Sequence, residues 1–454
     1  MSAAHTVAES PGITRRIALA AAVAVFGVYL ANFRVITEGD SLPDRYLPFA
    51  LWGAGSLTLD SVAGAASRHP KNPPYWIWRS PEGHLLSKYP IVTPLLVSPA
   101  ALPFVLDLNA KGWSVERLER LGTIMEKISA AAISAASAGL LFVLLRRKLT
   151  AGRALLLTAG YALGTGTWPI SSQALWQHGT AELLLVLGLL AVTCEPEPRT
   201  IAAGTISGLL VANRPPDVFL AGALLAFLLW RLRRRALPAF LAAALVLLPV
   251  LFYNVHFFHS VWGGYGVIGL QRLGHPFYAH SVVAGIAGLL VSPAKGLLIF
   301  SPFLLFLFVP RGRQRLPHAE RALAFCLAAG VALQLLFYAR ADWRAGGCYG
   351  NRFLLDALPA LLWLLALAAR RLGRASWNVL AGLVAVSIAI QGIGAFCYPG
   401  GHSDDLYYPK TLPRRVIAPS VWSWRNAAFL VEAGAGLASP DLLRPRENRP
   451  LTPR

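Results

Sequence analysis

Eleven stretches of this chain are apolar over lengths that suit hydrocarbon: 17–33, 123–145, 154–170, 180–194, 200–212, 216–230, 236–258, 297–310, 322–338, 353–369 and 377–396. A helix needs about 20 mostly apolar residues to cross a bilayer. Within the bilayer only helices and closed barrels satisfy every backbone group, and continuous apolar runs without alternation read as helices. Charged residues are 14% of the chain and hydrophobic residues 55%, against roughly 25% charged in a soluble domain. A soluble globule and a disordered chain are thereby excluded. The fold expected is all-α: a polytopic membrane protein of about eleven transmembrane helices over 1–396, followed by a short tail over 397–454.

The basic residues orient it. The net charge of +20 is concentrated in short clusters: Arg15-Arg16, Arg146-Arg147-Lys148, Arg231 with Arg233–Arg235, Arg311-Arg313-Arg315, and Arg370-Arg371 with Arg374. Such clusters beside spans mark the cytoplasmic side, which favours a membrane surface over nucleic acid as the partner. With eleven spans and a cytoplasmic N-terminus, all five clusters fall inside. This count takes the apolar stretch 90–106, which carries Pro94, Pro99 and Pro103, as an interfacial or re-entrant helix, broken by those prolines. The expected location is the inner (plasma) membrane. The first span reads as an uncleaved anchor, because YLANFR at Tyr29–Arg34 offers no small-x-small cleavage site.

The cytoplasmic loops are short and basic, without a Walker loop, a GxGxxG after a strand, or an Asp-x-Asp. The outer loops carry the unusual residues. The first, 34–122, holds Glu38-Gly39-Asp40-Ser41, Asp44-Arg45-Tyr46, an amphipathic stretch over 46–59 and Ser87-Lys88-Tyr89-Pro90. Later loops hold Trp176-Gln177-His178, Asn213-Arg214-Pro215, Trp262-Gly263-Gly264-Tyr265, Ser292-Pro293-Ala294-Lys295, and the run from Trp343 and Arg344 through Tyr349 to Arg352. A belt of interfacial aromatics would mark both faces, so the asymmetry argues for a site. A carboxylate there can act as general base toward a hydroxyl. Lysines and arginines can hold a phosphate, Arg through two parallel bonds. Together these parts suit a sugar carried on a lipid phosphate.

In its order of an anchor, Gly39-Asp40, an amphipathic stretch, Lys88-Tyr89-Pro90 and a span ending in Arg-Arg-Lys, the chain resembles the GT-C fold membrane glycosyltransferases that use polyprenyl-phosphate sugars. The protein O-mannosyltransferases and lipid A aminoarabinose transferases belong to that group. The likeness covers about residues 15–260 in layout and is specific around Asp40 and Lys88. It implies that Asp40 is the base, with Asp44 the next candidate, and that Lys88 contacts donor phosphate. Where that group often has an acid before the fourth span, this chain reads Gln177-His178-Gly179-Thr180-Ala181-Glu182. His178 is the candidate substitute, and whether a divalent metal takes part stays open.

Arg352, Arg214, Arg344 and Lys295 are further candidates for donor phosphate, each weighed against a plain interfacial anchor. Trp262, Tyr265, Trp343 and Tyr349 are candidate substrate-binding aromatics, weighed against belt residues. The expected reaction is an inverting transfer from a lipid-linked sugar to an extracytoplasmic glycan, lipid or protein. The rival readings are a transporter or flippase of lipid-linked sugars and a non-catalytic envelope scaffold. Cys348 and Cys397 both lie outside in this topology, where an oxidising compartment would permit a disulfide.

Overall fold

The computed structural model describes residues 11–66, 74–267, 281–309, 316–413 and 416–442. The basic cluster Arg311-Arg313-Arg315 and, in the tail, Arg414 and Arg415 lie outside the described residues. What is described is a helical membrane protein with one small two-stranded hairpin. Six helical runs are long and apolar enough to cross a membrane: Pro11–Leu30, Val92–Lys111, Val115–Arg146, Pro215–Phe258, His318–Arg340 and Arg374–Cys397. Four shorter apolar helices accompany them: Gln177–Val192, Thr200–Asn213, Val282–Val291 and Leu358–Ala369. The run Pro215–Phe258 contains two helices, Val218–Leu232 and Leu237–Phe258, separated where Arg233 takes φ 55.

Three elements differ from the sequence reading. The segment 297–310 is not an α-helical span. One turn, Leu297–Phe300, stops at Ser301, and a 3-10 helix, Pro302–Phe308, follows. Proline at the first position of the new element cannot donate to the preceding turn, so the α-helix does not continue through it. Second, the expected outer loop over 259–296 contains the helix Val282–Val291, whose ten apolar residues are too few to signal a span. Third, the helix Val92–Lys111 is continuous through Pro99 and Pro103. Pro99 leaves the Leu95 carbonyl without its helical donor, and the Ser98 hydroxyl supplies one at 3.0 Å.

Glycines let the helices approach closely. Leu237–Phe258 packs along Thr200–Asn213 through Gly204 and Gly208. A Cβ on Gly204 would lie 2.1 Å from the Ala239 carbonyl oxygen, and one on Gly208 would lie 2.7 Å from that of Ala243. Two small residues four apart are the usual means of bringing helix backbones together in lipid.

The first outer loop folds over one end of the bundle. The helix Leu42–Ala54 stops at Gly55, whose left-handed φ of 63 lets its N–H cap Ala50 and Leu51. The amphipathic helix thus ends short of the expected 59. Strands Ile77–Arg79 and Leu85–Ser87 pair antiparallel, with Trp78 opposite Leu86. Asp60 ties this hairpin down by accepting from the Leu85 N–H at 2.7 Å and contacting His84 Nδ1 at 2.7 Å. In the tail, two short 3-10 turns, Pro419–Trp422 and Trp424–Asn426, precede the helix Ala428–Ala435.

The two ends of the bundle are chemically distinct. At one end Glu320 binds Lys148 at 2.5 Å and Arg370 at 2.8 Å, which brings two basic clusters together. The chain direction of Pro11–Leu30 and Val218–Leu232 carries Arg15-Arg16 and Arg231–Arg235 to that same end. The site residues lie at the other.

Candidate active site

Asp40 lies in the turn between an extended segment and the helix Leu42–Ala54. The turn is closed by the Ser41 N–H and hydroxyl, which donate to the Glu38 carbonyl at 3.0 and 3.1 Å. Asp40 Oδ2 is 2.6 Å from Arg352 Nη1. Its Oδ1 accepts from Tyr75 Oη at 3.0 Å and Tyr89 Oη at 2.5 Å. Gly39 is required for this approach: a Cβ there would lie 2.4 Å from the Tyr75 hydroxyl. The carboxylate side chain keeps 21% exposure, so it is held on three sides and open on another. Burial pushes its pKa up, but the Arg352 charge and the two phenol donors outweigh that and hold it below the ordinary value.

Arg352 is positioned by a ring beneath it. Its guanidinium lies 5.0 Å above the Trp176 indole and 5.8 Å from Phe353, a geometry worth about 0.5–2 kcal/mol. Tyr89 meets Tyr265 edge-on at 6.1 Å, and the Tyr265 hydroxyl donates to Gln177 Oε1 at 3.2 Å. Lys88 is buried beside them. Its N–H donates to the Trp76 carbonyl at 3.0 Å, and a Cβ on Gly264 would lie 2.2 Å from the Lys88 carbonyl oxygen. The Trp262–Tyr265 turn is therefore packed onto the Lys88 backbone, with Trp262 itself 63% exposed at the rim.

Behind this centre is a buried polar network. Asp356 Oδ1 contacts His178 Nδ1 at 2.7 Å, and Asp356 Oδ2 is 3.0 Å from Arg214 Nε. Arg214 Nη1 lies 2.8 Å from His178 Nε2, and Nη2 donates to the Tyr338 hydroxyl at 2.6 Å. Arg214 Nη1 is also 3.1 Å from His178 Nδ1, and since an arginine can only donate, the imidazole faces it as an acceptor. Tyr338 stacks on Phe353 at 4.3 Å, which joins the network to the Arg352 segment. Asn213 seals it by donating to the Gln177 carbonyl at 2.9 Å and accepting from Thr93 at 2.8 Å.

The remaining sequence candidates are placed elsewhere. Asp44 is fully buried one turn into its helix, and neither carboxyl oxygen has a hydrogen-bond partner. Its neighbour Arg45 pairs with Glu126 at 2.5 Å. Burial, then the nearby Glu126 and Asp40, push the Asp44 carboxyl well up. Lys295 is buried against Asp404 at 3.1 Å and the Cys348 carbonyl. Arg344 binds Asp342 at 2.8 Å and donates to the Tyr407 and Val416 carbonyls at 3.0 and 3.2 Å. Trp343 is buried against Trp422, and the Tyr349 hydroxyl donates to the Ile390 carbonyl at 2.7 Å. These four residues hold the tail and its neighbouring loops. Cys348 and Cys397 are both free thiols. Among the described residues no three His, Cys, Asp or Glu side chains are grouped to hold a metal ion.

The fold thus gathers Asp40, Lys88, Arg352, Tyr265, His178 and Arg214 at one end of the bundle. It adds Asp356, Tyr75, Tyr89 and Tyr338, which the sequence reading did not assign. Asp356 had a signal: a carboxylate four residues after Arg352, at the mouth of an apolar run, requires a partner.

No family model matches the chain, and no curated protein does. Solved structures similar to it include the following two. One is ArnT from Cupriavidus metallidurans in the apo state, with a TM-score of 0.46 and 15% identity over 89% of this chain. The other is the apo oligosaccharyltransferase of Archaeoglobus fulgidus, with a TM-score of 0.46 and 14% identity over 93% of this chain. The chain spans 66% and 63% of the length of those two proteins.

Proposed function

We propose that this protein is an integral membrane glycosyltransferase that moves a sugar from a polyprenyl-phosphate donor to an extracytoplasmic acceptor. The observation that carries the reading is the Asp40–Arg352 pair, a partly exposed carboxylate 2.6 Å from an arginine at the end of the bundle opposite the basic clusters. Four of those clusters lie at the other end. By the rule that basic loops stay inside, the N-terminus is cytoplasmic and the Asp40 face is extracytoplasmic.

In this reading the donor phosphate binds Arg352 and Lys88. A phosphate that takes Arg352 draws it from Asp40 and frees the carboxylate to serve as base. Asp40 then removes the proton from the acceptor hydroxyl, which attacks the anomeric carbon as the C–O bond to phosphate breaks. Configuration inverts, and the lipid phosphate leaves against Arg352 and Lys88. Charge placed in advance at a leaving group is usually the largest catalytic contribution. Arg214 pairs with Asp356 and contacts His178 and Tyr338, so its role is to brace the wall on which Trp176 and Arg352 rest. Asp44, buried without a hydrogen-bond partner and with its carboxyl pKa pushed well up by burial, is not the base. Lys295 and Arg344 fasten the tail.

The test is release of polyprenyl phosphate from a labelled polyprenyl-phosphate hexose or pentose by the purified protein, with Asp40→Asn alongside. The rival, a transporter of the same lipids, is favoured by ionisable groups buried within the bundle, Lys127 and Glu182. Donor crossing a vesicle membrane without release would select it.

A further inference from the structure

Three donors converge on the Asp40 carboxylate, and they differ in how they can leave it. Oδ2 faces Arg352 Nη1 at 2.6 Å, while Oδ1 accepts from Tyr75 Oη at 3.0 Å and Tyr89 Oη at 2.5 Å. A carboxylate oxygen has two lone pairs to offer, so the two phenols fill Oδ1. A further hydroxyl can donate to Oδ1 only in place of one of them.

Tyr89 is the fixed one. Its ring meets Tyr265 edge-on at 6.1 Å, and its N–H donates to the Ser87 hydroxyl at 3.0 Å. Tyr75 is the releasable one. It sits at the tip of the turn 74–77, which the Ile77 N–H closes onto the Pro74 carbonyl at 2.9 Å. Trp76 and Ile77 are buried and anchor that turn, whereas Tyr75 is 57% exposed. Exposed side chains change rotamer on the picosecond-to-nanosecond scale, so the Tyr75 ring can swing off Asp40 with its backbone in place.

The contact is nevertheless built into the fold. A Cβ on Gly39 would lie 2.4 Å from the Tyr75 hydroxyl and 2.7 Å from Trp76 Cδ1, so glycine at 39 lets the phenol lie across the turn and reach the carboxylate. Oδ1 is also the oxygen the chemistry needs. In the glycosyl-transfer reading the donor phosphate is held by Arg352, on the Oδ2 side. Inversion brings the acceptor in on the face of the sugar opposite the phosphate. The acceptor hydroxyl therefore meets Asp40 at Oδ1, where Tyr75 stands.

We propose that Tyr75 is the gate on the base and sets the choice of an acceptor hydroxyl over water. Its phenol holds the Oδ1 position against water, and the hydroxyl of an acceptor bound by its own contacts displaces it. The proton of that hydroxyl passes to Asp40, its oxygen bonds the anomeric carbon, and the bond to phosphate breaks with the electron pair leaving on the lipid phosphate. Water in the same position would release free sugar by the same steps. The proposal rests on the glycosyl-transfer reading above and adds a residue that protects the donor from hydrolysis.

The test is release of free sugar from labelled polyprenyl-phosphate hexose and pentose by the purified full-length protein, in neutral buffer with no acceptor added. Tyr75→Phe keeps the exposed ring and removes only the hydroxyl. Its hydrolysis rate is expected to exceed that of wild type by about tenfold or more, the size of one hydrogen bond to a charged group. Adding Asp40→Asn to Tyr75→Phe should abolish the gain, because water then meets no base. Tyr89→Phe loses a bond of the same kind on the walled side and should gain less than about threefold. Both tyrosine variants should move the acidic limb of the rate to higher pH, since burial raises the Asp40 pKa and each phenol opposes that. Hydrolysis by Tyr75→Phe within about threefold of wild type overturns the proposal, as does an equal gain in Tyr89→Phe or a gain that survives Asp40→Asn. Failure of the underlying reading looks different: neither wild type nor any variant consumes a lipid-linked sugar, and the gate falls with it.

Discussion

Arg352 holds Asp40 at 2.6 Å while resting 5.0 Å above Trp176. One side chain thereby restrains the proposed base while stacked on an aromatic ring. Removal of this arginine should change how Asp40 titrates as well as how donor binds.

The sign follows from the surroundings. Burial raises the Asp40 pKa, and Arg352, Tyr89 and Tyr75 together more than reverse that. A carboxylate with a lowered pKa contributes stability above its unfolded value and loses it as pH falls through the folded one. In Arg352→Gln the main lowering influence is gone. The acidic limb of kcat/KM is expected to move to higher pH, with donor KM raised. An unmoved acidic limb would remove Asp40 from the role of base.

Asp44 has the opposite sign. Burial and the charges of Glu126 and Asp40 raise its pKa well above the ordinary value. The folded protein keeps a proton that the unfolded chain releases. The resulting stability is complete below the unfolded pKa and is lost as pH rises through the folded one. Asp44→Asn preserves shape and cannot ionise. Its melting temperature is expected to exceed that of wild type in mildly alkaline buffer, with the gap closing in mildly acidic buffer. A destabilised Asp44→Asn at both would contradict the assignment of a neutral carboxyl.

The expected segment over 90–106 was legible as apolar and proline-rich, but its continuity was not, because Ser98 Oγ supplies the donor that Pro99 lacks. The break at Ser301 was hidden inside an apolar run, since hydropathy reports environment and not backbone hydrogen bonding. The helix Val282–Val291 was hidden by its length. The polar loops were legible because charged and aromatic residues stand out between apolar runs. Which of them meet was not. Asp40 and Arg352 are joined by the path of the chain, and Arg344 and Lys295, equally conspicuous in sequence, are bound by the tail.

The tail bonds carry a measurable stability. Lys295 is 1% exposed against Asp404. Asp404→Asn leaves that ammonium without its counter-charge, and breaking a buried pair in this way costs about 3 kcal/mol or more. Denaturation of the purified protein should show the loss. A change below about 1 kcal/mol would mean the pair is screened by water.

Orientation can be read from single cysteines placed at exposed positions. A membrane-impermeant thiol reagent should label Glu82→Cys in intact cells, and Arg234→Cys only after permeabilisation, above the background of the unmodified chain. The reverse pattern would put the Asp40 face in the cytosol.

The most direct measurement is turnover of a labelled polyprenyl-phosphate sugar by wild type and Asp40→Asn reconstituted in the same vesicles. Wild type is expected to release polyprenyl phosphate with inversion at the transferred sugar, and Asp40→Asn to be slower by about 10²–10⁴ with its fold intact. Equal release by the two proteins, or transport of the donor with no release by either, would contradict the account.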